Sequence, residues 1–330
     1  MRANPAGSVD QPGRGSRIRP GLAVFWRLTA GWLLLGANLP AEEASTARPF
    51  RLAFTSSMFT EVNENDARAA MKVWIMTVAQ EKGIPVEPDP HVYATVEELL
   101  QADRANQIDG FGLIAPEYAY LSQTMKFDRF AAGVHGGGIA DEYVLLVRQD
   151  SGLEWIEQLQ GRSLNVLENP RMSLALIWLD TVLLQARLER ATDFFGRVTS
   201  FNKASRVALP VFFRQTDACL LTRKSFKVMG ELNPQLHKQL RVLAASPEVM
   251  SSGFAFRADS VSPFRAQMLA EMTRLSETPV GRQILTLTQA DRIENHPISC
   301  LDSALELLAT HARLCGGTNF PAGQAHGGGN

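Results

Sequence analysis

The sequence predicts an α/β protein built from two units, each a mixed, mostly parallel sheet flanked by helices. The chain has 330 residues, enough for two domains of ordinary size. Hydrophobic residues make up 45% of it and charged residues 20%, a balance typical of globular proteins. Short apolar strands alternate with segments of helical period over 51–121 and again over 153–222. This alternation predicts two sheets with parallel strands.

The charge is distributed unevenly along the chain. Basic and acidic residues number 33 and 34 overall, but residues 1–41 hold five arginines and one acidic residue. The remainder therefore has 28 basic and 33 acidic side chains and a formal charge of −5. Such a chain lacks the basic surface that nucleic-acid binding requires, so we expect no nucleic-acid partner.

Residues 1–41 have the order of an export signal. An arginine-rich start precedes an apolar run over 28–39, and a small-residue cleavage site ends at Ala41. Because the run is short for a membrane span, we predict a signal peptide over 1–41, cleaved near Ala41, and a periplasmic mature chain. An uncleaved anchor over 21–41 is the alternative, although Arg27 lies inside it.

The first unit begins with a strand over 51–55, and a helix over 65–82 follows, with Gly83 as its stop. The turn after the strand is rich in hydroxyl groups, which belong to Thr55, Ser56 and Ser57. Open α/β sheets bind ligands at the carboxyl ends of their strands, so these residues are candidate ligand contacts. Ordinary turn chemistry is the alternative explanation.

The first unit continues with a capping box of Thr95 and Glu98, which predicts a helix to about residue 106. A buried strand over 108–115 then leads into a helix that carries Glu117 and Tyr118 in its first turn. Both side chains lie at a strand's carboxyl end, although a glutamate there is often only a partner of the helix dipole. The glycine-rich segment 131–138, which lacks the spacing of a dinucleotide or phosphate loop, is predicted to be a flexible crossing. Its lone histidine, His135, is more often structural than catalytic.

The second unit contains a possible anion site. A strand over 163–167 ends at polar residues, and a helix is predicted from Pro170. Free amides at such a helix start favour an anion, with Asn169, Arg171 and Ser173 beside it. Most junctions of this type bind nothing, which is the alternative.

The rest of the chain completes both units. A strand over 198–201, a helix over 203–213 interrupted by Pro210, and a strand over 217–222 with Asp217 at its entrance are predicted. A strand from residue 252 and helices over 263–276, 280–287 and 301–314 could return to the first unit. We expect the glycine-rich tail 316–330 to be disordered.

Four stretches resemble the phosphate/phosphonate branch of periplasmic substrate-binding proteins of ABC transporters. They are FTSSMFTEVNENDARAAMKVW (54–74), QIDGFGLIAPEYAYL (107–121), EYVLLVRQDSGLEWIEQLQGRSLNV (142–166) and LPVFFRQTDACLLTRKSFKVMGELNPQL (209–236). The resemblance implies a type 2 clamshell fold with a first lobe over 42–142, a second lobe over 143–250 and a return to the first over 251–315. It also implies hinge closure about strands near Tyr143 and Ser251 on a small anion.

The resemblance also implies which residues hold the anion. Ser56, Ser57, Tyr118 and Ser173 would bind an oxyanion between the lobes, and Asp217 would take the amino group of an aminoalkyl phosphonate. A strand cap is the alternative role of Asp217. The segment 169–173 has fewer hydroxyls than the family pattern and one arginine, so an organic acid or sulfonate is also possible.

We therefore expect a monomeric, non-enzymatic binding protein that serves a membrane permease. A sensory subunit that presents its ligand to a membrane histidine kinase is the alternative. The sequence contains no nucleophile elbow and no zinc-protease helix, and its cysteines and histidines lack metal-ligand spacing. We expect no cofactor and no metal. A base formed by His135 and Asp217 is the only enzymatic arrangement that the sequence suggests.

Overall fold

Two mixed β-sheets organise the part of the chain that the computed structural model describes, which is residues 48–60, 62–103 and 107–316. These residues belong to the unit that starts at Thr46. The predicted signal segment 1–41 and nearly all of the predicted tail lie outside the described residues. Within the described ranges, no helix is both long enough and apolar enough to cross a membrane.

The chain builds most of the first lobe before it enters the second. Its elements are β1 (Leu52–Thr55), α1 (Glu64–Lys82), β2 (His91–Tyr93), α2 (Val96–Ala102), β3 (Gly110–Ile114), α3 (Ala115–Leu121) and β4 (Phe127–Val134). Strand β1 pairs in parallel with β2 and β3, because α1 and α2 carry the chain back between them. Asn63 caps α1, and Gly83 ends it in the left-handed conformation, as predicted.

The second lobe repeats this arrangement. It contains β5 (Asp141–Arg148), β6 (Ser163–Leu167), α4 (Ala175–Gln185), α5 (Ala191–Phe194), β7 (Arg197–Phe201), α6 (Ala204–Phe212), β8 (Ala218–Thr222), α7 (Arg223–Leu232), α8 (Pro234–Gln239) and β9 (Leu240–Val249). The strand order is β7-β6-β8-β5-β9. The neighbours of β6 are parallel to it, and those of β5 are antiparallel.

The last segment returns to the first sheet with β10 (Ser252–Arg257), α9 (Arg265–Thr273), α10 (Pro279–Leu287), β11 (Arg292–Pro297) and α11 (Asp302–Leu314). The first sheet has the order β11-β4-β10-β3-β1-β2, with β10 antiparallel to both neighbours. Helices α9 and α10 pack on the first lobe, whereas α11 packs against α3 and, across the lobes, against α4. The predicted two-lobed α/β fold with mixed sheets is confirmed. The sheets are not mostly parallel: parallel pairing is confined to three strands of each, because β5 and β10, which the chain enters on crossing between the lobes, run antiparallel to their neighbours.

Several predicted elements need correction. The helix expected from Pro170 is a 3₁₀ turn over Pro170–Met172, and α4 begins only at Ala175. The glycine-rich segment 131–138, predicted to be a flexible crossing, begins with the last four residues of β4, and the turn with positive φ at Gly136 and Gly137 follows before β5. Helix α6 continues past Pro210 to Phe212.

The predicted capping box is only half formed. Thr95 accepts a hydrogen bond from the Glu98 amide, but the Glu98 carboxylate binds the Ala94 amide instead of the Thr95 amide. Helix α2 therefore starts where predicted and ends at Ala102, before residue 106. Asp103 follows α2 directly, and its carboxylate accepts a hydrogen bond from the Ile108 amide at 2.8 Å.

Two apolar clusters fill the fold. One is confined to the first lobe, between its sheet and α1, α9 and α10, and includes Leu52, Phe54 and Trp74. The other begins on the opposite face of that sheet with Phe111 and Leu113 and continues into the second lobe. Alternate residues of β1 and β3 therefore face different clusters.

Gly112 tests the packing of the first cluster. A Cβ atom at this position would lie 2.4 Å from Cδ1 of Phe54, so this buried ring would have to shift. We expect Gly112→Ala to lower the free energy of unfolding by about 1–3 kcal/mol through overpacking. Urea denaturation measures this, with Gly138→Ala as the control, because a Cβ there meets only the Lys224 ammonium at 3.6 Å. Equal stability of the two variants would contradict the prediction.

Candidate functional site

The Glu117 carboxylate accepts hydrogen bonds from hydroxyl groups at the end of β1 and just after it. Glu117 Oε2 accepts hydrogen bonds from Thr55 Oγ1 at 2.6 Å and from the Ile114 amide at 3.1 Å, and its Oε1 accepts one from Ser57 Oγ at 2.7 Å. Ser56 Oγ donates to the Ala94 carbonyl at 3.1 Å. The structure therefore places these candidates together, but their hydroxyl hydrogens bond within the protein.

Burial raises the pKa of Glu117, and the hydrogen bonds from Thr55 and Ser57 oppose that rise without cancelling it. A buried carboxylate with this shift destabilises the folded protein when it ionises. The hydroxyls around it stabilise the ionised form, so their present role is to solvate Glu117.

Tyr118 lies away from this group. Its ring packs beside Phe127 and Phe130, with centroid distances of 5.3 and 6.5 Å, and the residue is 6% exposed. Burial, followed by the nearby Cys300 and Asp302, raises the pKa of Tyr118 to about 12. The structure places it in the core shared by the lobes and does not bring it to the other candidates.

In the turn after β6, two of the three candidate side chains bind main-chain atoms. Asn169 Oδ1 accepts a hydrogen bond from the Met172 amide at 3.0 Å, and Ser173 Oγ donates to the Ser251 carbonyl at 3.0 Å. Arg171 differs. Tyr143 Oη donates to its main-chain carbonyl at 2.9 Å, and this contact does not involve the guanidinium. Its Nη1 lies 3.9 Å from Asp141 Oδ1, beyond hydrogen-bond distance.

Asp217 lies at the opposite end of the second sheet. Strands β6 and β8 are parallel; Asp217 precedes β8, whereas Arg171 follows β6. Asp217 Oδ2 accepts hydrogen bonds from the Ser163 amide at 2.9 Å and from the Ser163 hydroxyl at 2.6 Å. Burial raises the pKa of Asp217, but the bonds from Ser163 and the Arg162 guanidinium outweigh it and lower that pKa. This is the strand-cap arrangement, and it separates Asp217 from both Arg171 and His135.

A charged cluster that sequence reasoning missed surrounds Arg171. Asp141, 2% exposed at the start of β5, has its Oδ1 3.6 Å from Lys224 Nζ, and this oxygen has no hydrogen bond within the described ranges. His135 Nδ1 is 2.8 Å from the Gln289 carbonyl, which requires the hydrogen to lie on Nδ1. Burial, then Arg171, lowers the pKa of His135. Two permanent cations thus face one carboxylate.

No sequence pattern predicts this cluster. Its members come from a hairpin turn, the first residue of β5, the turn after β6 and the helix α7, which are distant in the chain. In the sequence, His135 is a lone histidine, and no motif includes Asp141 or Lys224. Within the described ranges, no three His, Cys, Asp or Glu residues are placed to hold a metal ion.

A cavity of about 120 Å³ opens beside this cluster. Arg171 and Pro170 of the second lobe line it together with His135 and residues of the first lobe. The cavity continues between the first sheet and α1 and α10, where apolar side chains line it. Both lobes therefore contribute to one recess, with the arginine on its second-lobe side.

Two α/β lobes joined by crossing strands, with a charged recess between them, define the class of two-lobed solute-binding proteins. The model of the family described as "ABC transporter, phosphonate, periplasmic substrate-binding protein" matches residues 57–296. The chain belongs to this family of periplasmic binding proteins, which is a transport family and not a family of enzymes. None of the curated protein sequences matches the chain significantly.

Solved structures show the same fold at low sequence identity. A binding-protein component of an ABC phosphonate transporter from Pseudomonas aeruginosa aligns with a TM-score of 0.54 and 14% identity, over 84% of this chain and 91% of that one. A Xanthomonas citri protein bound to ATP gives 0.57 and 15%, over 83% and 100%. PhnD1 from Prochlorococcus marinus, in complex with methylphosphonate, gives 0.52 and 13%, over 82% and 98%.

The raised pKa of Glu117 predicts how stability depends on pH. The folded protein binds the Glu117 proton more tightly than the unfolded chain, whose pKa is about 4.5. Protonation of Glu117 therefore stabilises the folded protein fully below pH 4.5, and this stabilisation is lost as the pH rises through the folded-state pKa. Glu117→Gln removes this loss, so we expect the variant to gain stability relative to wild type as the pH rises above 4.5.

Urea denaturation between pH 4.5 and 7 measures the difference. Glu81→Gln, on the exposed face of α1, is the matched control and should follow the wild-type curve at all pH values. A difference between Glu117→Gln and wild type that stays constant with pH would show that the buried carboxyl does not titrate in this way.

Proposed function

We propose that this protein captures a small oxyanion, phosphonate-like or phosphate-like, beside Arg171 between its two lobes and delivers it to the membrane permease of an ABC importer. The observation that carries the proposal is that Arg171 lines a recess to which both lobes contribute. A guanidinium can donate two parallel hydrogen bonds to a phosphonate, phosphate or carboxylate group. Lys224 adds a second positive charge nearby.

The chain crosses between the lobes at two places that could act as hinges. The first lies between β4 and β5, and the second lies between β9 and β10, at Ser251. An anion that contacts both lobes stabilises the form in which they are closest, and closure follows from this difference in affinity. Ser56 is the first-lobe hydroxyl that we propose as a further contact, since its 3₁₀ turn lies beside the turn of Arg171. For Ser57, which donates to Glu117, we propose a supporting role.

Family membership supports transport over the sensory alternative. The methylphosphonate in PhnD1 shows that a protein of this fold holds a phosphorus oxyanion. In this chain the scarcity of free hydroxyls and the presence of Arg171 favour recognition by charge. Thr55, Glu117, Tyr118, Asn169, Ser173 and Asp217 make internal contacts, so we propose supporting roles for them and the principal contact for Arg171.

Arg171→Gln tests the proposed function. Loss of charge-assisted hydrogen bonds worth about 2–3 kcal/mol should raise the Kd for methylphosphonate or phosphate roughly 30-fold to 150-fold. Isothermal titration calorimetry of the purified protein measures this constant. Arg162→Gln is the matched control, because Arg162 precedes the same strand β6 at its other end and pairs with Asp217. An equal loss in both variants, or no loss in either, would contradict the proposed site.

A further inference from the structure

The recess beside Arg171 is apolar beyond its mouth. Its walls come from α1, β10 and α10, among other segments, and include Met71, Trp74, Phe254, Ile284 and Leu287. The two lining residues with ionisable side chains, Arg171 and His135, lie where the two lobes meet. An inorganic oxyanion would use this mouth and leave the apolar part without a partner.

Small residues keep the apolar part open. Gly133 on β4 and Ala290 before β11 line it, and a Cβ atom at Gly133 would lie 3.3 Å from the Ala290 methyl. On the opposite wall, Ala67 of α1 also lines the space. A larger side chain at these positions would fill the cavity, so their small size preserves room for a ligand group.

We infer that the site binds an organic anion with a short apolar chain, its head at Arg171 and its chain in the cavity between the first sheet and helices α1 and α10. This inference rests on the proposed function, because the same arginine receives the head. A cavity of about 120 Å³ is close in size to one that holds benzene, so it fits a phenyl group or a chain of roughly four to six carbons. The ligand class is thus an alkyl or aryl phosphonate or a carboxylate with a similar chain.

The chain length of the ligand provides the test. Each methylene that leaves water strengthens binding about fourfold, so hexylphosphonate, with its five additional methylenes, should bind about 1000-fold more tightly than methylphosphonate when the whole chain enters the cavity. The heat capacity change of binding should also be more negative for hexylphosphonate. Titration calorimetry of the purified protein with both compounds and with hexanoate gives these values. Equal or weaker binding of hexylphosphonate would overturn the inference.

Two methionines of α1 offer a matched pair of variants. Met71 lines the cavity, whereas Met76 is 54% exposed on the outside of the same helix. We expect Met71→Gln to weaken hexylphosphonate binding about tenfold or more and to leave methylphosphonate binding unchanged, which also reports that the head site is intact. Met76→Gln should change neither. The same loss in both variants would place the chain outside the cavity.

The outcomes separate the inference from the proposed function. Methylphosphonate binding that depends on Arg171, without a gain from the longer chain, would support the proposed function and overturn the inference. Hexylphosphonate binding that Arg171→Gln abolishes would support both. Hexanol binding as tight as that of hexylphosphonate would show that the anionic head contributes nothing, and absence of binding to every compound would overturn both.

Discussion

The carbonyl oxygen of Ser251 joins the two lobes, and the position of Arg171 depends on it. The Ala115 amide, where β3 gives way to α3 in the first lobe, donates to this oxygen at 2.7 Å, and Ser173 Oγ of the second lobe donates to it at 3.0 Å. Ser251 is buried, so loss of either bond would leave a polar group without water to replace its partner. The turn that holds Arg171 is thereby fixed to the carboxyl end of a first-lobe strand.

Internal hydrogen bonds to buried groups also determine which polar side chains are available to a ligand. Glu117 lies at the carboxyl end of the first sheet and takes the hydroxyl hydrogens of Thr55 and Ser57. An ionised Glu117 would repel an oxyanion placed directly on those hydroxyls. At Arg171 in the second lobe the Asp141 carboxylate stays 3.9 Å from Nη1, beyond hydrogen-bond distance, and Asn169 and Ser173 bind main-chain atoms. The positive charge beside the recess therefore lies on the second-lobe side, and its apolar volume lies on the first-lobe side.

Local pattern predicted the elements better than it predicted the site. The strand over Ser163–Leu167 and the helix ending at Gly83 follow from apolar runs and stop residues, and both have the predicted form. Strand β11 (RIENHP) is too polar to show a strand pattern, and it forms because β4 offers it an edge. Asp217 illustrates the limit for the site: the sequence left a ligand contact and a strand cap open, and only the strand direction distinguishes the two ends of the sheet. Asp141, Arg171 and Lys224 are distant in the chain and meet only when the second lobe has folded.

The contacts of Asp141 make this cluster receptive to a ligand. Its Oδ1 lies 3.9 Å from Arg171 Nη1 and 3.6 Å from Lys224 Nζ, so it lowers the cost of burying two cations without forming a hydrogen bond to either through that oxygen. The Arg171 side chain is only 13% exposed, so little water competes for its hydrogens. An oxyanion that reaches hydrogen-bond distance would bind this guanidinium more strongly than Asp141 does. The adjoining walls are apolar, and the low polarity around the pair would strengthen that attraction. A weak internal ion pair beside an apolar recess thus favours an anion whose remaining atoms exclude water.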